Sequence, residues 1–148
     1  MHDHHAYDYA IIRIVPRVER EEFINAGVIV WCPARRFLDA LIDLDEARLL
    51  AMNSSADLEA IRAHLSTIPA ICAGGSQAGP IGELSMRKRF EWLTSPRSTT
   101  IQTSPVHSGW CKDPAAQLDS LLDTMVRPAR ADCAADERAP LEPAQRGE

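Results

Sequence analysis

The chain has 148 residues, of which 45% are hydrophobic and 25% are charged, and its formal net charge is -5. This composition is typical of one globular domain. The negative net charge argues against nucleic-acid binding that is mainly electrostatic, because such binding needs concentrated lysine and arginine. No apolar run approaches the ~20 residues that span a bilayer, and no signal-peptide pattern is present. We therefore expect a cytoplasmic protein with no membrane partner and no direct nucleic-acid partner.

Histidine and cysteine are the residue types that would most readily hold a transition metal in this chain. His2, His4 and His5 lie in residues 1–6, which we predict to be disordered because termini are usually mobile. The four cysteines are widely scattered and include no Cys-x-x-Cys pair, which zinc sites usually show. The sequence therefore predicts free thiols, no metal site and no cofactor.

Three consecutive stretches in the first third of the chain predict strands. Residues 7–15 are apolar on both faces, and residues 21–32 end in the most concentrated β-branched and aromatic run of the chain. Asn25-Ala26-Gly27 favours a bulge or kink at the start of that second strand, because Asn and Gly tolerate positive φ. Residues 37–44 alternate apolar and polar, as in a strand with one wet face. Short links between the three predict an antiparallel meander.

Arg13 is a guanidinium set among tyrosines and aliphatic residues of the first strand, because side chains two positions apart share a face. A buried charge is tolerated when it is paired and hydrogen-bonded. We favour a structural ion pair with Glu19, Glu21 or Glu22, and Glu22 is the most plausible partner. The alternative is an arginine that binds an anion at one end of the sheet.

Helical patterns follow the strands. Residues 47–52 predict a short helix, and the spacing of Ser54 and Asp57 resembles a capping box before a longer helix. Pro69 and Gly74-Gly75 predict the kink and the end of that helix. The glycine-rich residues 73–82 predict a loop. Helices are also predicted over residues 83–93 and 113–127, and the polar residues 129–148 are predicted to be disordered.

The charge is unevenly distributed along the chain. Residues 86–112 include one acidic residue, Glu91, and five basic residues, at positions 87, 88, 89, 97 and 112. A run of charge is usually a solvated face, but a basic surface on an acidic protein suits an anionic ligand or an acidic partner. Arg87 and Arg89 belong to this surface, and Arg89 and Trp92 are residue types that anchor interfaces.

Residues 95–109 are rich in serine and threonine and include His107. Residues 99–103 alternate and predict a fourth strand at the edge of the sheet. Hydroxyls near an imidazole suggest a nucleophile and a base, but no carboxylate can be assigned to orient His107, and no Gly-x-Ser-x-Gly motif exists. A structural or surface histidine is the favoured interpretation.

Together these patterns predict an α+β fold in one domain over residues 7–128. Because strands precede helices rather than alternating with them, we expect a three- to four-stranded antiparallel sheet. Three main helices are expected to pack on one face of that sheet.

Four motifs resemble a bacterial domain-of-unknown-function family, number 3037: YDYAIIRIVP at residues 7–16, EEFINAGV at 21–28, RFEWLTSPRST at 89–99 and SPVHSG at 104–109. The resemblance covers roughly residues 7–127. Glu21 departs from the family's usual Arg-Gly-Glu-Phe form, in which glycine precedes the glutamate. The resemblance implies no chemistry, but it implies gene neighbourhood with HipA-like kinases, which suggests such a kinase as a partner.

Two classes of function remain. The favoured class is a small non-enzymatic adaptor or regulatory protein that docks on a HipA-like kinase, because the sequence contains no complete catalytic constellation. The alternative is an enzyme or ligand-binding domain for an anionic, phosphate- or nucleotide-like small molecule. The residues expected to bind the anion or the partner are Arg13, Glu22, Asn25, Arg87, Arg89, Trp92 and His107.

Overall fold

A computed structural model describes residues 3–128. Five strands form the sheet: β1 (His5–Ile14), β2 (Ile24–Cys32), β3 (Phe37–Ile42), β4 (Ile101–Thr103) and β5 (His107–Cys111). Five helices surround it: α1 (Glu46–Met52), α2 (Leu58–Ala73), α3 (Gly79–Gly82), α4 (Met86–Leu93) and α5 (Pro114–Leu121). A π-helical turn, Leu122–Val126, continues α5. No helix in residues 3–128 is both long and apolar enough to cross a membrane.

The sheet is antiparallel throughout, in the order β3-β2-β1, and the other edge of β1 is shared by two short strands. β5 pairs with the first half of β1 and β4 pairs with its last three residues. The predicted α+β class and antiparallel sheet are confirmed, with β1, β2 and β3 as the meander. The described sheet has five strands rather than three or four, because the Ser/Thr-rich segment supplies two strands instead of one.

Helices cover both faces of the sheet, so the prediction of helices on one face is wrong. α1, α2 and α4 pack on the face that carries Ile12 and Ile29. α5 and the π-helical turn pack on the opposite face, against Val28 and Val30. The physical reason lies in β2, whose consecutive residues are all apolar and therefore need cover on each side. The face of β3 predicted to be wet accordingly packs Phe37 and Leu41 against this second layer.

Several boundaries differ from the sequence prediction, two of them because of helix-capping residues and one because of strand pairing. Asp57 is itself the N-cap of α2, since its carboxylate accepts the Ala60 N–H at 3.1 Å. Ser85 caps α4, so this helix begins three residues later than predicted. β1 begins at His5, which pairs with Cys111, two residues before the predicted start. Residues 1–2 and the predicted disordered tail, 129–148, lie outside the described residues.

A β-bulge at the start of β2 aims the end of β1. Ile12 pairs with Gly27 and Arg13 pairs with Asn25, so Ala26 is the extra residue. A Cβ on Gly27 would lie 2.7 Å from the Leu41 carbonyl oxygen, which excludes any side chain there. The bulge predicted from Asn25-Ala26-Gly27 is therefore present, and it positions Arg13.

Candidate functional site

A pocket of about 310 Å³ opens at the end of β1 that follows the bulge. Arg13 lies opposite Gln102 of β4 in the register, so both side chains project from the same face of the sheet. The 3₁₀ turn Val18–Arg20 and the segment before β4 close the sides. We call this the Arg13 pocket, and its lining residues are Arg13, Val15, Val18, Glu21, Phe23, Arg97, Ser98 and Gln102.

Arg13 is half-buried in this pocket without a carboxylate partner. Its guanidinium carbon lies 4.1 Å from the centre of the Phe23 ring, a cation–π contact. Its Nε is buried and meets no hydrogen-bond acceptor within residues 3–128, and no ion pair forms to Arg13 in that range. The guanidinium is thus held by an aromatic ring rather than by an anion.

The expected pairing of Arg13 with Glu22 is wrong. Glu22 accepts from Arg20 at 2.9 Å and 3.2 Å, and both side chains are exposed. This hydrogen bond lowers the pKa of the Glu22 carboxyl. Glu22 and Phe23 lie just before β2, and Phe23 is the residue of the two that contacts the Arg13 guanidinium.

Arg97 is the second cation of the pocket. It donates to the Trp92 carbonyl at 2.7 Å and to the Leu93 carbonyl at 3.2 Å, so it caps the end of α4. Its guanidinium carbon lies 4.4 Å from the centre of the Trp92 ring. Trp92 is 40% exposed. The Arg13 pocket is therefore continuous, through Arg97, with an exposed tryptophan.

The arrangement suits recognition of an anionic group. A guanidinium offers planar paired donors to a carboxylate or phosphate, and partial burial strengthens such hydrogen bonds relative to water. The Gln102 amide donates to the Thr99 carbonyl at 2.7 Å, which leaves its oxygen as an acceptor. Glu21 is the one carboxylate among the lining residues.

The comparisons with known proteins identify the family. The family model described as "Protein of unknown function (DUF3037)" matches residues 9–126, well over half of the chain. The chain belongs to this family. No curated protein and no solved structure gave a significant match. The structural basis for a function of this DUF3037 protein is therefore the geometry of the Arg13 pocket.

Arg89 is not part of the basic surface to which the sequence assigned it. The side chain is buried, with 9% exposure, and its Nη1 donates to the Ile71 carbonyl at 2.9 Å and to that of Cys72. Its Nε donates to the Leu84 carbonyl at 3.1 Å. Arg89 therefore joins α4 to the end of α2. Gly74 leaves space for it, because a Cβ there would lie 3.0 Å from the guanidinium.

The structure separates most of the other predicted site residues. Asn25 neighbours Arg13 in the register, but its amide donates to the Met125 carbonyl at 2.9 Å. Arg87 is exposed, with its guanidinium 6.0 Å from the Trp31 ring. His107 is exposed on β5, with its ring 5.3 Å from that of Tyr9. Of the predicted set, Arg13 lines the pocket and Trp92 adjoins it through Arg97.

Sequence reasoning missed Arg97, Glu21 and Gln102 as pocket residues. Arg97 entered as one of five basic residues and within a family motif, and Glu21 entered as a possible ion-pair partner of Arg13 and as a departure from a motif. The pairing of Arg13 with Gln102 depends on a three-residue strand, which sequence periodicity cannot place. In residues 3–128 no three or more His, Cys, Asp or Glu side chains group so as to hold a metal ion.

A second hollow, of about 330 Å³, lies on the other side of β4. Its lining includes Asp57 and His64 of α2 together with Thr100. The Asp57 carboxylate already accepts the Ala60 N–H, so this group caps the helix. The Arg13 pocket is the stronger candidate because its charged group has no partner within the described residues.

Proposed function

We propose that this protein is a non-enzymatic binding protein that recognises an anionic group in the Arg13 pocket and acts as a small adaptor or regulatory protein in the bacterial cytoplasm. The observation that carries the proposal is the buried Arg13 Nε, which finds no acceptor in residues 3–128. A buried charged donor without an acceptor costs about 1–3 kcal/mol or more. A carboxylate or phosphate of a bound ligand would accept this hydrogen bond, and the removal of that cost would contribute to the binding free energy.

Binding fits the pocket better than catalysis does. The groups that line it are two guanidiniums, an amide, a hydroxyl and one carboxylate, set beside Val15, Val18 and Phe23. Catalysis of acyl or phosphoryl transfer requires a nucleophile or base within hydrogen-bond reach of a second catalytic group. His107, which the sequence offered as a base, lies next to Tyr9 on β5 and does not line the pocket.

The exposed neighbours of the pocket favour a protein partner. Trp92 and Arg97 stack on each other at the surface, and tryptophan and arginine are the residue types that most often anchor interfaces. An acidic or phosphorylated side chain of a HipA-like kinase could enter the Arg13 pocket while the kinase surface covers Trp92. This surface supports the proposed adaptor role, for which the family resemblance suggests only the kinase as a partner.

A free anionic small molecule is the alternative ligand, and an enzyme acting on it is the alternative function. A cavity of about 310 Å³ is within the range of small-molecule sites. Phosphate- and nucleotide-like molecules satisfy the same guanidiniums as an acidic side chain. The two sources of the anion must therefore be separated by titration.

The decisive experiment is a calorimetric titration of the full chain against the neighbouring HipA-like kinase and, separately, against inorganic phosphate, a nucleoside monophosphate and small carboxylates. Arg13→Met should abolish binding of the ligand that wild type takes. Arg62→Met is the matched control, because Arg62 of α2 is an exposed arginine that pairs with Glu46 of α1. Equal affinity for wild type and Arg13→Met would contradict the proposal.

The adaptor function is tested by charge reversal at the surface. Arg97→Glu should weaken kinase binding at least tenfold, whereas Lys88→Glu, an exposed change on α4, should have a small effect. Arg89→Glu is not a suitable probe, because the Arg89 side chain is buried between α2 and α4. Arg97 also donates to two carbonyl groups, so circular dichroism must first show that Arg97→Glu keeps the unfolding midpoint of wild type. Kinase binding unchanged by Arg97→Glu would contradict this docking surface. Measurable turnover of a phosphorylated small molecule would instead favour the enzyme.

A further inference from the structure

Glu21 occupies a backbone conformation that a glutamate rarely adopts. Its φ is 59° and its ψ is 15°, in the left-handed region, where it ends the turn Val18–Arg20 and donates its N–H to the Val18 carbonyl at 3.2 Å. Glycine reaches this region without the steric cost that a Cβ brings. Arg36 ends the turn Pro33–Arg35 in the same conformation, with φ of 51°. The conformation is therefore one way that this chain ends a 3₁₀ turn, and the feature that distinguishes Glu21 is its position at the Arg13 pocket.

Glu21 is one of the residues that line the Arg13 pocket. Its side chain is exposed, and within residues 3–128 it forms no ion pair with Arg13 or Arg97. The pocket thus presents positive and negative groups that do not neutralise each other. Val15 and Val18 supply an apolar wall beside them.

We infer that Glu21 determines the specificity of the pocket and that the ligand is a small zwitterion, a free amino acid with an apolar side chain. Its carboxylate would bind Arg13, its ammonium group would bind Glu21, and its side chain would lie against Val15 and Val18. A phosphate dianion would be repelled by Glu21 more strongly than a zwitterion, because like charges close together disfavour each other. This inference rests on the proposed anion-binding role of Arg13, but it names the alternative ligand, a free small molecule, in place of a side chain of the kinase.

Matched ligands isolate the role of the ammonium group. L-leucine and 4-methylpentanoate share the carboxylate and the carbon skeleton, but only L-leucine carries the ammonium. By calorimetry, wild-type protein should bind L-leucine about tenfold more tightly than 4-methylpentanoate, since a charge-assisted hydrogen bond is of that order. Glu21→Gln should remove this preference and should raise the affinity for inorganic phosphate. Glu22→Gln, the neighbouring exposed residue, should change neither affinity.

The outcomes separate this inference from the proposed function. Equal affinity of wild type for the two matched ligands would overturn the zwitterion, as would an undiminished preference in Glu21→Gln. If phosphate or a plain carboxylate binds wild type but not Arg13→Met, and L-leucine is not preferred, the proposed function stands and this inference fails. If no small anion and no acidic partner binds, both fail.

Discussion

The Arg89 guanidinium donates a 2.9 Å hydrogen bond to the carbonyl of Ile71, in the last turn of α2. Because the last carbonyls of a helix have no partner within it, a buried helix end needs donors from elsewhere. Arg89 supplies them from α4, eighteen residues further along the chain. Arg89 therefore has a structural role, although arginine is a residue type that often binds ligands or partners.

Arg89→Met should therefore lower the free energy of unfolding by about 2–4 kcal/mol, because several carbonyls lose a charged donor. Arg87→Met, two positions earlier and exposed, should change it by less than about 0.5 kcal/mol. Urea denaturation followed by circular dichroism measures both. Similar small changes for the two variants would mean that Arg89 is not a structural residue.

Ser104 bridges the break between β4 and β5, and its removal gives a second stability prediction. Its Oγ accepts the Ile11 N–H at 2.9 Å, and its own N–H donates to the Ile11 carbonyl at 2.8 Å. Ser104→Ala leaves a buried amide without an acceptor, so we expect a loss of about 1–3 kcal/mol. Ser108→Ala is the control, because Ser108 is exposed and bonds only Asp8. A loss no larger than that of the control would contradict the bridging role.

The sequence predicted the central strands well because their signal is local. Apolar residues fill both faces of β2, and Asn25-Ala26-Gly27 supplies the bulge. β5 was missed because His107, Ser108 and Gly109 carry little strand preference, and its pairing with β1 is a long-range effect. Glu21 was noted as a departure from the expected glycine, and the structure shows that its backbone does take the left-handed conformation.

The end of α5 shows a subtler limit of periodicity. Leu118, Leu121, Leu122 and Met125 recur at the i, i+3, i+4 and i+7 spacing of one helix face, which predicts that all four are buried. The three leucines are buried, but Met125 is 44% exposed and Val126 is buried in its place. The π-helical turn adds a residue to the last turn and moves the apolar face on by one position. Asn25 donates to the Met125 carbonyl there, a tertiary contact that no local pattern encodes. The role of Arg89 was missed for the same reason, because its partners include carbonyl groups of α2 that lie far away in the sequence.

The third prediction compares the effects of Arg13 and Glu22 variants on stability. Arg13→Met keeps an apolar stem over Phe23 and removes a buried donor without an acceptor, so the free energy of unfolding should change by less than about 1 kcal/mol. Glu22→Gln should cost less than about 0.5 kcal/mol, since its pair with Arg20 is exposed. A buried Arg13–Glu22 pair would instead make Glu22→Gln cost ~3–5 kcal/mol. Urea denaturation of both variants distinguishes these cases.

Cys72 makes the stability of the fold depend on alkaline pH. Burial in the core, followed by the nearby Asp39, raises the pKa of its thiol from 9.0 to about 12. Because the folded state keeps the thiol protonated where the unfolded chain would lose the proton, this contribution is fully present below about pH 9 and is lost as the pH rises toward 12. The free energy of unfolding should thus fall with pH between 9 and 11 more steeply for wild type than for Cys72→Ala.

The difference between the two slopes should approach about 1.4 kcal/mol per pH unit, the value for one proton. Urea denaturation at several pH values measures it, and the comparison cancels the titration of the other residues. Modification by a thiol reagent at pH 8 supplies an independent check, since the Cys72 thiol should react only as fast as the protein opens. Parallel stability curves for the two proteins, or rapid modification of folded wild type at Cys72, would show that this thiol is not held neutral in the core.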